Sequence, residues 1–264
     1  MTQVAMQARE GAFTAPAPLV VNRDGTSPVI VVCEHASCYF PPELNSLGLD
    51  AEGSKSHIAW DPGAMQVALG ISQRLDAALV ASQVSRLVYD CNRPPESAGA
   101  MPARSEIFDI PGNRDLGQAD RNARIALVYE PFRASLAAVI AASEGAGVIV
   151  TIHSYTPVYN GRPREVELGI LHDSDARLAD ALLANAHQHT TLQVRRNEPY
   201  GPQDGVTHTL LEHAVSTGLH NVMIEVRNDL IATPEAQAGV ADMLSRLISS
   251  GLRDLGIAGA GGDT

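Results

Sequence analysis

Two histidines in this sequence follow apolar runs that read as buried strands. His35 comes after "VIVVC" and Glu34, and His153 closes "GVIVTIH". Asn92 and Arg93 follow a third apolar stretch, "RLVYDC", and Glu225 lies near the end of a fourth, "NVMIEVRN". In an open parallel sheet, ligands bind at the carboxyl ends of the strands, so residues far apart in sequence meet in one crevice. Two imidazoles and an acid, with a second acid and an arginine nearby, are what metal-assisted hydrolysis requires. Imidazole and carboxylate hold a divalent ion with one position open, and another carboxylate takes the proton of water. An arginine then fixes a substrate carboxylate or stabilises oxyanion charge.

Each residue also has a plainer reading. A single histidine at a strand end is commonly a hydrogen-bonded structural residue. Asp61, in "DPG" ahead of a helical pattern, reads either as an N-cap with proline at N1 or as a ligand. Glu34 adjoins His35, and in extended chain adjacent side chains point to opposite faces. Only one of the two faces a given site unless a turn starts there. Arg93 can simply pair with Asp90, and Glu225 with Arg227, two residues on along the same strand face. His172, His187, His189, His213 and His220 read as surface. His208 stays a candidate because "PYGPQDGVTHT" is a Gly/Pro-rich loop entering a helix. There is no GxSxG elbow, phosphate loop or HExxH, and Cys33 ends an apolar strand rather than sitting in an electropositive setting.

The elements that must position these groups follow from periodicity. "SPVIVVC", "ALVASQVS" with its extension "RLVYDC", "GVIVTIHS", "REVELGILH", "LQVRRN" and "NVMIEVRN" read as strands. Helical patterns lie between them, one running from Gln118 to Ser143 with Pro131 either kinking it or starting a second helix. Alternation of this kind predicts a three-layer αβα fold around a mostly parallel sheet. The expected organisation is a flexible arm over 1–27, one α/β domain over 28–256 and a flexible tail over 257–264. The Pro/Gly-rich loop from Pro94 to Gly112 is long enough to close over the site.

At 264 residues one large domain is expected. The net charge of −11 argues against nucleic acid, and an acidic substrate would need arginines placed locally. All but one of the 19 basic residues, Lys55, are arginines suited to bidentate carboxylate binding. No apolar run in the sequence approaches the roughly 18–20 residues of a membrane span, and the N-terminal residues lack a secretory pattern. Three cysteines without a CxxC pair suit a reducing cytoplasm. Oligomeric state is not legible.

Taken together, "CEHAS", "PPEL", "DPGA", "SRLVYDCNRPP", "IHSYTPVYNGRPREVELGIL", "PYGPQDGVTHTL" and "MIEVRNDLI" resemble the N-formylglutamate amidohydrolase family, from about Val29 to Ile231. The resemblance implies a zinc-carboxypeptidase-like fold and hydrolysis of N-formyl-L-glutamate to formate and glutamate, in histidine degradation. It implies a divalent metal, zinc first, with manganese, iron or cobalt also suited, on His35, Asp61 and His153. By the same likeness Glu225 is the general base, and Asn92 with Arg93 grips a substrate carboxylate. Arg162, Arg164 or Arg227 is left for a side-chain carboxylate. Where histidine-pathway members carry a His-Ser-Gly type turn, this chain has His35-Ala36-Ser37, which leaves the acyl amino acid open.

Overall fold

The computed structural model of the chain describes residues 13–257 apart from 144 and 146. In chain order the strands are β1 (Leu19–Val21), β2 (Val29–Cys33), β3 (Ala78–Ala81), β4 (Arg104–Ser105), β5 (Phe108–Asp109), β6 (Val148–Tyr155), β7 (Val158–Tyr159), β8 (Arg162–Pro163), β9 (Leu168–Leu171), β10 (Val194–Arg196) and β11 (His220–Arg227). The α-helices are α1 (Ala64–Leu75), α2 (Gln118–Arg124), α3 (Glu130–Ala142), α4 (Arg177–His189), α5 (His208–His213) and α6 (Pro234–Asp254).

Seven strands form one sheet in the order β1-β3-β2-β6-β11-β9-β10. The pairs β3/β2, β2/β6, β6/β11 and β9/β10 are parallel, whereas β11/β9 and β1/β3 are antiparallel. The mostly parallel sheet expected from the sequence is present, and burial on both faces explains why its strands read as continuous apolar runs.

Alternation sorts the strand residues between two cores. Val29, Val31, Val148, Val150, Ile152, Val222, Ile224 and Val226 pack against α1, α4 and α6. Ile30, Val32, Ile149 and Met223 face the other way, toward Phe132, Leu136 and Val139 of α3. By the same parity His153 and Glu225 leave the α1/α6 face and point to the α3 side. They are direct partners in the parallel β6/β11 ladder.

Three expectations need correction. "RLVYDC" is not a strand: β3 stops at Ala81 opposite Cys33, the last residue of β2, so a longer strand would have no ladder partner there. Residues 84–92 form turns instead. The arm over 1–27 is partly sheet, because β1 pairs with the edge of β3. Asp76 holds it there, accepting from Asn22 Nδ2 at 2.9 Å and from Thr26 Oγ1 at 2.7 Å. Residues 1–12 and 258–264 lie outside the described residues.

Pro131 falls in the first turn of α3, which continues from α2 through a π turn, so Gln118–Ala142 runs as one helical stretch. A widened π turn over Ile125–Tyr129 just ahead makes room for the proline ring. This helix is, by length and composition, apolar enough to cross a membrane. Glu130, Pro131 and Arg133 interrupt the run in the sequence and hid that property. In the fold the helix lies against the sheet.

Candidate active site

The site begins where β2 ends. A turn starts at Glu34, directly after Cys33, so Glu34 and His35 do not diverge as they would on an extended strand. His35 Nδ1 lies 3.2 Å from Asp61 Oδ2, and Nε2 donates to Asp90 Oδ1 at 2.7 Å. His153 Nδ1 lies 3.0 Å from the same Asp61 oxygen and 3.2 Å from His35 Nδ1. Its Nε2 stands 3.1 Å from Glu34 Oε2, a close ionic contact rather than an aligned hydrogen bond. Each imidazole thus turns one nitrogen to the centre and the other to an outer carboxylate.

Asp61 is not a helix cap. Gly63, at φ 81°, occupies the N-cap of α1, and a Cβ there would sit 2.6 Å from the carbonyl oxygen of Ile231. With the cap supplied by glycine backbone, the Asp61 carboxylate is free for the two histidines and for the Ser154 amide, which donates at 3.3 Å. The main chain fixes it as well, since the Asp61 amide donates to the His35 carbonyl at 3.0 Å.

Three atoms converge here: His35 Nδ1, His153 Nδ1 and Asp61 Oδ2. Their separations of 3.0–3.2 Å are close to the ~3.3 Å edge of a tetrahedron with metal bonds of about 2.0–2.1 Å. His35, Asp61 and His153 form a buried group able to hold a metal ion. Charge points the same way. Burial and Arg86 push the His35 pKa down, but Asp90 and Asp61 outweigh them and raise it. Burial lowers His153 too, yet Glu34 and Asp61 carry it well above the usual imidazole range. Burial raises Asp61, but the charge of His35 and hydrogen bonds from both imidazoles bring it far below the usual carboxylate range. The carboxylates therefore demand positive charge at this point, which two imidazolium protons or a dication can supply.

Glu225 stands beside this group with 4% of its surface exposed and Oε2 without a hydrogen-bond partner. Burial, with some help from Asp61, raises its pKa to about 7 against the opposing charges of His153, His35 and Arg86. Gly169, paired with Glu225 across β9 and β11, makes the neighbourhood possible. A Cβ at Gly169 would lie 2.1 Å from the Glu198 carbonyl oxygen, so only glycine lets the segment carrying Tyr200 cross the sheet here.

A cavity of about 340 Å³ opens above these residues. His35, Asp61, Asn92, Arg93, His153 and Glu225 all line it. Asn92 is largely committed: its amide donates to the Val206 carbonyl, and its Oδ1 accepts from the Thr209 amide at 2.9 Å. Arg93 does not pair with Asp90. It donates one Nη1 bond to the Asp204 carbonyl and keeps its other donors.

The remaining candidates sit elsewhere. His208 bonds the Tyr129 hydroxyl at 2.8 Å and does not line the cavity. Arg227 pairs with Asp229 at 2.8 Å and Glu167 at 3.3 Å, not with Glu225. Arg162 is exposed on the β7–β8 hairpin, and Arg164 faces an adjoining cavity. The segment Pro94 to Gly112 is pinned at its base rather than free along its length. Asn113 Nδ2 donates to the Leu87 and Pro102 carbonyls, and buried Arg124 bonds Asn113 Oδ1. Ser105 and Glu106, at its tip, line the cavity, with Glu106 Oε1 held 3.0 Å from His57 Nε2.

Sequence reasoning missed Arg86, Asp90 and Tyr200. Arg86 bridges Asp61 Oδ1 at 3.4 Å and Asp90 Oδ2 at 2.8 Å and faces the cavity. Burial opposes its charge, but Asp90 and Asp61 secure it. The signal was the i,i+4 spacing of Arg86 and Asp90 in "SRLVYDCNR", hidden once that stretch was read as a strand.

A cleft at strand ends, with a buried carboxylate of raised pKa beside an imidazole–carboxylate group, holds the groups a hydrolase uses. The chain belongs to the N-formylglutamate amidohydrolase family, whose model matches residues 27–232. It is 54% identical to the gene product Atu2144 from Agrobacterium tumefaciens, with a TM-score of 0.90 over 93% of this chain and 99% of that one. It shares the fold of the N-formylglutamate amidohydrolase from Ralstonia eutropha JMP134, at 19% identity and a TM-score of 0.56 over 90% and 96% of the two chains. No curated protein matches.

Proposed function

We propose that the protein is a metal-dependent amidohydrolase that cleaves a small N-acyl amino acid, N-formyl-L-glutamate first among them, into formate and the free amino acid. The observation that carries this reading is the triangle of His35 Nδ1, His153 Nδ1 and Asp61 Oδ2, 3.0–3.2 Å on a side, with Glu225 beside it. Two imidazoles and a carboxylate suit zinc, and also manganese, iron or cobalt. A divalent ion in that position supplies Lewis acidity for the acyl carbonyl and for water.

The chain's own residues do the rest. Glu225, ionised, takes a proton from the attacking water. As the water oxygen bonds to the acyl carbon and the C–N bond breaks, Glu225 returns that proton to the leaving nitrogen. Low local polarity keeps Glu225 basic enough for the first transfer and acidic enough for the second. Arg93 offers its uncommitted donors to the substrate α-carboxylate, and Asn92 holds the 206–209 segment that walls the cleft. Arg86 brings fixed positive charge to the same wall, which a chain of net charge −11 otherwise lacks.

The test is metal content and N-formyl-L-glutamate hydrolysis measured together on wild type and Glu225→Gln. Metal in both, with turnover reduced about 10²–10⁴-fold in the variant, supports the reading. Absence of metal from both after controlled reloading overturns it.

A further inference from the structure

A second cavity of about 590 Å³ adjoins the catalytic one, and Tyr159, Tyr200 and Asp204 line both. Arg164 lines only the second. Its guanidinium carbon lies 4.6 Å from the ring centre of Tyr159, 5.0 Å from Tyr200 and 5.3 Å from Tyr155. Nη2 donates to the Tyr200 hydroxyl at 2.9 Å and Nη1 to the Thr156 carbonyl at 3.3 Å. Both acceptors are neutral, and among the described residues no carboxylate pairs with Arg164. The cation is therefore oriented by its aromatic cage and still uncompensated. Arg195, exposed on β10, lines the same cavity and, among the described residues, bonds the Val194 carbonyl and the Gln193 side chain. Glu165, Glu198 and Asp204 also border it; like Arg195 they are solvent-exposed, so salt screens these four charges, whereas Arg164 is half-buried.

Size points beyond the formyl substrate. A water's share of liquid volume is about 30 Å³, and covalently joined atoms need less. N-formylglutamate, with a dozen non-hydrogen atoms, is comparable in size with the first cavity of about 340 Å³, so the second is room for a larger substrate. We infer that the second cavity is a carboxylate subsite centred on Arg164, and that the preferred substrates are N-acyl amino acids carrying a further carboxylate remote from the scissile amide. This deepens the amidohydrolase reading and rests on it for the position of the cleaved bond. The remote carboxylate passes the rim formed by Tyr159 and Tyr200 and meets the free edge of the guanidinium.

The experiment compares pairs matched in length. N-succinyl-L-glutamate against N-butanoyl-L-glutamate places the charge at the acyl end. N-formyl-L-2-aminopimelate against N-formyl-L-2-aminoheptanoate places it at the other, with the α-carboxylate left free for Arg93. The quantity read is the ratio of kcat/KM within each pair, on wild type, Arg164→Gln and the exposed-site variant Arg195→Gln. The expected result is a ratio of about tenfold or more for at least one pair in wild type, since a hydrogen-bonded charge is involved. Arg164→Gln abolishes that preference and Arg195→Gln weakens it, through KM rather than kcat. A purely structural Arg164 would lower both members of a pair alike.

Calorimetric binding of the charged compounds to Glu225→Gln separates this inference from the reading beneath it. Binding that depends on Arg164 without turnover of any N-acyl amino acid in wild type would keep the subsite and overturn the hydrolase. Turnover with no charge preference in either pair, or with a preference that survives Arg164→Gln, would overturn the subsite alone.

Discussion

At the residue scale, both imidazoles are held by carboxylates on the sides away from the centre, and this has a measurable weight. Asp90 fixes His35 through Nε2, and Glu34 faces Nε2 of His153. Asp90→Asn and Glu34→Gln are each expected to weaken zinc binding about 10–100-fold, read by competition with a chromophoric chelator. Glu225 makes a second prediction, because a carboxyl with pKa raised to about 7 is a stability statement. In the unfolded chain the same group ionises at about 4.3. The protonated form is favoured by folding, so its contribution is present at low pH and is lost as pH rises through the folded value. Metal-free Glu225→Gln is expected to melt above wild type at pH 8, with the gap closing toward pH 4; equal melting temperatures at pH 8 would argue against a buried, uncompensated Glu225. Legibility at this scale was uneven. His35, His153 and Glu225 were readable because polar groups at the ends of apolar runs are costly without a purpose. Glu34 was not, because its role depends on a turn starting one residue after the strand. Arg227 and His208 misled, since sequence gives no sight of Asp229, Glu167 or Tyr129.

At the element scale, the site depends on where regular structure stops. β2 ends at Cys33, β3 at Ala81, and α1 is capped by Gly63 rather than by the aspartate two residues before it. The parallel strands and the helix pattern were legible from continuous apolar runs and 3.6-residue spacing. The premature end of β3 was not, because ladder length depends on a partner strand fifty residues away. Gly169 is the most exposed dependence at this level. Gly169→Ala would place a methyl 2.1 Å from the Glu198 carbonyl, and backbone cannot yield as a flexible side chain can. Overpacking of this kind typically costs about 1–3 kcal/mol. The variant is expected to melt earlier and, because the displaced segment carries Tyr200, to lose kcat/KM beyond what lowered stability explains. A crystal structure or the tyrosine signals in an NMR spectrum would show that displacement.

At the scale of the whole molecule, imidazole nitrogens separated by 118 positions in the chain meet at 3.2 Å. The cleft is balanced for positive charge before any ion arrives. The neighbouring carboxylates shift both His35 and His153 toward their protonated forms in the metal-free protein. An incoming dication must displace those protons, so its apparent affinity is expected to rise with pH across the neutral range. Calorimetric titration with zinc in buffers of different ionisation enthalpy would count the protons released; none released at pH 7 would contradict the charge balance described above. The acidic surface sets a related expectation. With net charge −11, association of anionic substrates is expected to speed up as salt screens the long-range repulsion, while the arginine contacts inside the cleft respond less.

The pairing of β1 with β3 bears on what the rim of the sheet offers to its surroundings. Leu19–Val21 covers the open edge of an apolar strand whose amides and carbonyls would otherwise face outward, and the Asp76 carboxylate latches it through Asn22 and Thr26. An uncovered edge of that kind is a template for another copy to add a strand. Part of the stretch that reads in sequence as a flexible arm thus shields β3, and trimming the protein back to residue 28 is expected to bare that strand's backbone and raise its tendency to associate, read by light scattering.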